Sequence, residues 1–311
     1  MAEASDDIPI HHIFRWDLDK TYLRTDFETV RDLIKTALQT PEEKVNVPGA
    51  VELLRELKRD HDHSRSLVTF ISGSPSQMRE KLEKKFELDG IEPDIFILKP
   101  TLQYILSGKF GAVRGQVGYK LDNLLQLRAK TALAPETLFG DDAEQDAFIY
   151  SLYSDLVADR VDLGTLARIL DEANVHEDAV DSILSHAESM EIRDTARRIF
   201  IHLEERSPPG RFWVFGPRVV PIVNYFQAAV VLYADGTIGA GAVLRVASGL
   251  MSHHDYGLLE LANSFEDLMR RRHLQKDVVD ELGEKLRGHV DAELLPPGFL
   301  DDLLARARAL A

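Results

Sequence analysis

Four short apolar runs punctuate the first half of the chain, at residues 13–16, 66–71, 95–98 and 137–139, and three of them end in small or acidic residues. No other feature limits the fold as much. Between the runs lie segments with apolar residues at helical spacing, at 28–39, 49–59, 76–86 and 120–130; in the second, Val51, Leu54 and Leu57 share one face. Short strands joined by single helices predict a parallel, doubly wound sheet. Ligands of such sheets sit beyond the carboxyl ends of the strands, so the polar residues there are the first candidates for function.

After about Leu163 the pattern changes. Segments around 166–170, 180–187 and 192–203 repeat apolar residues at helical spacing and predict a helical C-terminal region. It is divided by Ser207-Pro208-Pro209-Gly210 and by Leu295-Pro296-Pro297-Gly298. The passage 229–247 could form two strands joined at Asp235-Gly236. Apolar residues on both sides of Val230 and Val231, without alternation, and alanine-rich flanks favour two helices with that turn between them. The expected organisation is an α/β domain over residues 1–163 and an all-α domain over 164–311.

Composition removes several function classes. With 311 residues, 44% of them hydrophobic, the chain has ample material for two cores. A net charge of -15 argues against a sequence-independent grip on nucleic acid or on an anionic membrane, so a phosphorylated substrate must be met by a local cation. The absence of cysteine excludes disulfides, thiolate metal sites and cysteine nucleophiles. The N-terminal residues lack the basic start and apolar core of a secretory signal. The longest apolar run, 219–234, is interrupted by Asn224 and Gln227 and falls short of the roughly 20 residues of a membrane span. A cytoplasmic protein without a transmembrane segment is expected.

The strand ends carry what phosphoryl chemistry needs. Asp17, Asp19 and Thr21 follow the first run, Ser72, Gly73 and Ser74 the second, and Gly140, Asp141, Asp142 and Asp146 the last; Lys120 opens the helical segment before that last strand. A carboxylate can attack phosphorus and split hydrolysis into two easier steps. Its difficulty is repulsion, because like charges about 4 Å apart cost roughly 4 kcal/mol at an effective dielectric near 20. Magnesium and a lysine would relieve it, with Asp17 and Asp141 as metal ligands and Asp146 or Asp142 behind them. Asp19 points to the same side of an extended chain as Asp17 and reaches a leaving-group oxygen, while Ser72 and nearby amides hold the non-bridging oxygens.

The four stretches Asp17-Leu18-Asp19-Lys20-Thr21, Phe70-Ile71-Ser72-Gly73-Ser74-Pro75, the segment beginning Tyr119-Lys120, and the segment from Phe139-Gly140-Asp141 to Ile149-Tyr150 resemble, in order, the motifs of the haloacid dehalogenase superfamily of phosphohydrolases. Within it the chain is most similar to the catalytic domain of the actin-patch phosphatidate phosphatase family, over roughly residues 13–162. The resemblance implies a Rossmannoid parallel sheet with a minimal cap. It implies Asp17 as nucleophile, Asp19 as general acid and base, Lys120 as charge neutraliser, and Thr21, Ser72, Gly73 and Ser74 around the substrate phosphate. Magnesium would be held among Asp17, Asp19, Asp141, Asp142 and Asp146. Lys99 and Lys109 compete with Lys120 for the lysine role. The chain departs from the family pattern at Lys20, where an acid is common, and at Arg15, a charge within the first strand. The short insert after the first motif has room for one helix at 28–39, and an open site of that kind suits a lipid head group, a phosphoprotein or another large phosphomonoester.

Two other readings compete. One is a non-catalytic scaffold that binds a protein partner through its helical C-terminal half. The other is a nucleic-acid end phosphatase, which the net charge opposes. The adjacent pairs His11-His12 and His253-His254, with Asp255, read as solvated side chains rather than metal ligands, and Phe212, Trp213 and Phe215 read as buried apolar contacts.

Overall fold

The computed structural model describes residues 8–24, 40–59, 64–99, 115–287, 298, 301–302 and 305–306. The four expected strands form as β1 (Ile10–Trp16), β2 (Arg65–Pro75), β3 (Ile95–Lys99) and β4 (Glu136–Asp141). Two more, β5 (Ala196–His202) and β6 (Val219–Ile222), extend the sheet to the order β3-β2-β1-β4-β5-β6. From β3 to β5 every neighbouring pair is parallel. The chain moves outward from β1 through β2 to β3, then returns to the other side of β1 with β4. The switch point therefore lies between β1 and β4, where a crevice opens at the strand ends. Trp16 is level with Phe70 on one side and Phe139 on the other, so Asp17, Ser72 and Gly140 emerge at the same end.

The helix expected over 192–203 is strand β5 instead. Ile199, Phe200 and Ile201 are all buried, and consecutive burial on both faces is what a strand inside a parallel sheet requires. Spacing alone does not separate such a run from a buried helix.

Contacts divide the chain into two compact units, Met1–Val45 with Lys58–Pro221, and Asn46–Leu57 with Ile222–Ala311. The first continues beyond the division read at residue 163, because β5 and most of β6 are needed to finish its sheet. Its helices are α2 (Arg79–Leu88), α3 (Gly115–Lys130), α4 (Asp146–Val157), α5 (Leu163–Glu172) and α6 (Glu177–Ser189). Leu121, Leu124, Ile149, Tyr153, Leu166 and Ile183 from these helices share a core with Ile199 and Ile201. Within the sheet, the rings of Trp16, Phe139 and Phe200 stack in series at 4.0 and 5.2 Å.

The second unit is helical: α1 (Ala50–Leu57), α7 (Tyr225–Ala234), α8 (Ala240–His253), α9 (Leu258–Arg270) and α10 (Lys276–Arg287). The passage around Asp235-Gly236 forms the two expected helices, α7 being buried from Tyr225 to Tyr233. The side chain of Asn224 caps α7 by accepting from the amide of Gln227. Helix α1 is tied to α8 by Glu56, whose two oxygens accept from Arg245 at 2.7 and 2.6 Å. Among the described residues no helix is long and apolar enough to cross a membrane. The helix expected over 28–39 lies outside the described residues, as does Lys109.

Two expectations about single residues are corrected. His12 is buried, stacked on Phe14 at 4.4 Å and within 2.9 Å of the Thr137 hydroxyl. It sits on β1 between β2 and β4, where its side chain is covered instead of solvated. Trp213 is 72% exposed, whereas Phe212 beside it is buried.

Candidate active site

Residues 17 to 23 leave β1 through a tight turn. The amides of Tyr22 and Leu23 both donate to the Leu18 carbonyl, and Lys20 adopts a left-handed φ of 58°. The Tyr22 hydroxyl donates to Asp89 at 2.7 Å and fastens the turn to the end of α2. Asp17 itself is held level with β4, its amide donating to the Phe139 carbonyl at 2.8 Å.

Four acids and one lysine meet at this point. The Lys120 Nζ, from α3, lies 2.9 Å from Asp17 Oδ1, 2.7 Å from Glu144 Oε2 and 2.5 Å from Asp146 Oδ1. Asp141 turns its Oδ1 to the amides of Ala143 and Glu144 at 2.7 and 2.9 Å, and accepts the Thr21 hydroxyl at 3.4 Å on Oδ2. Gly140 permits this closeness, because a Cβ there would lie 2.5 Å from Asp146 Cβ and from its Oδ2. Asp17, Asp141 and Asp146 are essentially inaccessible to solvent, and Glu144 is half-buried.

Among the described residues one ammonium meets four carboxylates, three of them buried, and does not balance them. Burial pushes Asp17 and Asp141 well above the usual carboxylate range, with Lys120 offsetting only part of it, and it raises Asp146 to about 6. Lys120, although buried, is held well above its ordinary value by Asp146, Asp17 and Glu144. Asp17 Oδ2 is buried with no hydrogen-bond partner among the described residues. Asp17, Asp141, Glu144 and Asp146 each offer an oxygen within 4.8 Å of the others. An all-oxygen set with surplus negative charge and an unsatisfied oxygen fits a hard divalent cation.

The remaining sequence candidates fall into two groups. Asp19 stands beside the cluster, its Oδ2 accepting the hydroxyls of Ser72 at 3.1 Å and Ser74 at 2.7 Å. Burial raises its pKa, and the two hydroxyls work against the rise. Gly73 lies between those serines on β2. Asp142 turns away, its carboxylate accepting the amides of Glu205 and Ser207 at 2.8 and 2.9 Å. Lys99 packs its ammonium over the Tyr119 ring, 5.7 Å from the centroid. The two departures point elsewhere: Lys20 pairs with Glu205 at 2.7 Å, and Arg15 with the buried Glu136 at 2.5 Å.

Glu144 was not singled out from the sequence. Its signal was its place in the acidic run between Asp141 and Asp146, and its orientation follows from the Asp141 turn. Gln116 was also missed; its Nε2 donates to Glu144 Oε1 at 2.6 Å.

Residues 16–163 match a family model described as phosphatidate phosphatase APP1, catalytic domain. All the acids of the cluster, Lys120, Asp19 and the two serines lie inside the matched segment. No curated protein and no solved structure matches the chain.

Proposed function

We propose, taking that match as the premise, that the chain is a magnesium-dependent phosphatase of lipid phosphates that works through an aspartyl phosphate on Asp17. One observation carries the reading. A buried carboxylate with one oxygen on Lys120 and the other unpartnered among the described residues stands where the sheet's strand order reverses.

Lys120 fixes Oδ1 of Asp17, which leaves Oδ2 to attack phosphorus in line with the departing ester oxygen. Asp19, whose raised pKa favours the protonated form, gives its proton to that oxygen, and the alcohol leaves. The resulting Asp19 carboxylate then takes a proton from water as the water attacks the aspartyl phosphate. That step returns Asp17, inorganic phosphate and a protonated Asp19. Ser72 and Ser74, freed from Asp19 when substrate enters, donate to the non-bridging oxygens. Magnesium, held by Asp17 and Asp141 with Glu144 and Asp146 around them, would supply the positive charge that brings a carboxylate and a phosphate together.

The test is phosphate release from an aryl phosphate and from a short-chain phosphatidate, with magnesium or chelator, for wild type and Asp17→Asn. Turnover should require the metal and fall by roughly a thousandfold or more in the variant. An unimpaired Asp17→Asn enzyme overturns the mechanism.

A further inference from the structure

Beside the acid cluster runs a groove of about 600 Å³, within the range of cavities that hold small ligands. Glu144, which caps Lys120, also forms part of its wall. Asp142, Gln145, Glu172 and Arg211 also line it. The remaining wall is apolar, with Phe148 from α4, Ile169 and Ala173 at the end of α5, and Phe212, Val214 and Phe215 from the helical turn Pro209–Phe215.

That turn is built with its apolar groups outward. Trp213 and Val214 are 72% and 82% exposed, the two most exposed large apolar side chains among the described residues. It is not a loose segment. Pro208 and Pro209 lead into it, Gly216 closes it with a φ of 83°, and Asp142 holds the preceding amides of Glu205 and Ser207 against the active-site loop. Apolar groups held outward by such fastening mark a contact surface rather than a folding defect.

We propose that this groove is the acyl-chain site of the substrate: the phosphate enters the acid cluster, and a fatty acyl chain leaves past Glu144 to lie along Phe148 and Phe215 beneath Val214. The proposal rests on the lipid-phosphatase reading. Two observations select an acyl chain as the occupant. The groove shares Glu144 with the cluster, so the apolar part of a lipid phosphate meets it as soon as its phosphate is bound. The chain also carries a net charge of -15, so attraction to an anionic lipid surface is denied it and apolar contact is left to hold the part of the substrate beyond its phosphate.

The test uses fluorescence of the full chain carrying Asp17→Asn, which prevents turnover. The protein has two tryptophans, and Trp16 is fully buried, so quenching by contact reports Trp213. The probe is a short-chain phosphatidate brominated near its chain ends, kept monomeric, with unbrominated lipid and glycerol 3-phosphate as controls. The expected result is saturable quenching by the brominated lipid alone, with apparent affinity reduced about tenfold by Val214→Asp and again by Ala173→Phe. Absence of saturable quenching, or equal affinity in both variants, overturns the proposal. So does quenching confined to brominated phosphatidylcholine bilayers, which would place Trp213 on a lipid surface with the groove unused. Aryl phosphate hydrolysis by the wild type separates the two readings. Hydrolysis without quenching removes the acyl site and leaves the phosphatase, whereas quenching without hydrolysis removes the phosphatase and supports the lipid site.

Discussion

Lys120 Nζ stands 2.9 Å from one carboxylate oxygen of Asp17, and the other oxygen of Asp17 is buried without a partner among the described residues. The lysine thus orients an acid that it does not fully satisfy, and three further acids draw on the same ammonium or lie beside it.

Removing that ammonium should be felt in the fold as well as in catalysis. Lys120→Met removes the ammonium that Asp17, Glu144 and Asp146 share, and breaking a buried pair in this way costs about 3–5 kcal/mol. Urea unfolding in chelator at pH 7.5 should show a loss of that order. At pH 5.5 the loss should shrink, because carboxyls raised by burial, such as Asp146 at about 6, take up protons.

At Gly140 the space is already filled by Asp146. Gly140→Ala forces a methyl into a position 2.5 Å from the Asp146 side chain, and overfilling of this kind costs about 1–3 kcal/mol. Since it moves a cluster residue by a fraction of an ångström or more, kcat/KM should drop roughly a hundredfold. Denaturation midpoints and steady-state rates measured on the same preparation check both.

His12 makes stability depend on pH away from the active site. Burial first, then the neighbouring His11, lowers its pKa from 6.5 to about 4. The unfolded chain therefore binds a proton between those values that the folded chain does not. The contribution is fully present above pH 6.5 and is lost as pH falls toward 4, on the order of 3 kcal/mol in all. Between pH 7 and 4.5 the wild type should lose about 2 kcal/mol more than His12→Asn in urea titrations.

Arg15 and Glu136 form a buried pair whose two halves are unequal. Glu136 also accepts from Arg128 at 3.0 Å, Thr195 at 2.6 Å and Tyr153 at 2.9 Å, while the two terminal nitrogens of Arg15 have no partner among the described residues. Glu136→Gln takes the carboxylate from the fully buried Arg15, whereas Arg128 keeps Thr195 and the carbonyls of Glu191 and Arg193, and should cost about 3–5 kcal/mol. Arg15→Met leaves a carboxylate that is still well paired and should cost about 1–2 kcal/mol. Thermal or urea melts of the two variants decide the order.

Much of the sheet was legible because its strands carry short apolar runs that end in polar residues. Residues 13–16 and 95–98 fall inside β1 and β3 almost unchanged. β5 was not legible: Ile199, Phe200 and Ile201, preceded by Arg197 and Arg198, fit a helix as well as a strand, and only the presence of β4 decides. In the site, the residue types were readable and their directions were not. Asp141 and Asp142 are adjacent, yet the turn that gives Asp141 two amides sends Asp142 to the Glu205 loop and brings Glu144 to Lys120. Trp213 misled for a similar reason, since hydrophobicity states a preference for burial and the prolines before it override that preference.

The helical unit draws α1 from between β1 and β2, while its partners α7 and α8 follow β6. During synthesis α1 therefore emerges well before anything that can cover it, and the delay is on the order of ten seconds at ordinary elongation rates. Val51, Leu53, Leu54 and Leu57 stay uncovered for that interval, although all are buried in the finished protein. The nascent chain thus carries an apolar handle that a holding chaperone can grip until Arg245 arrives to meet Glu56.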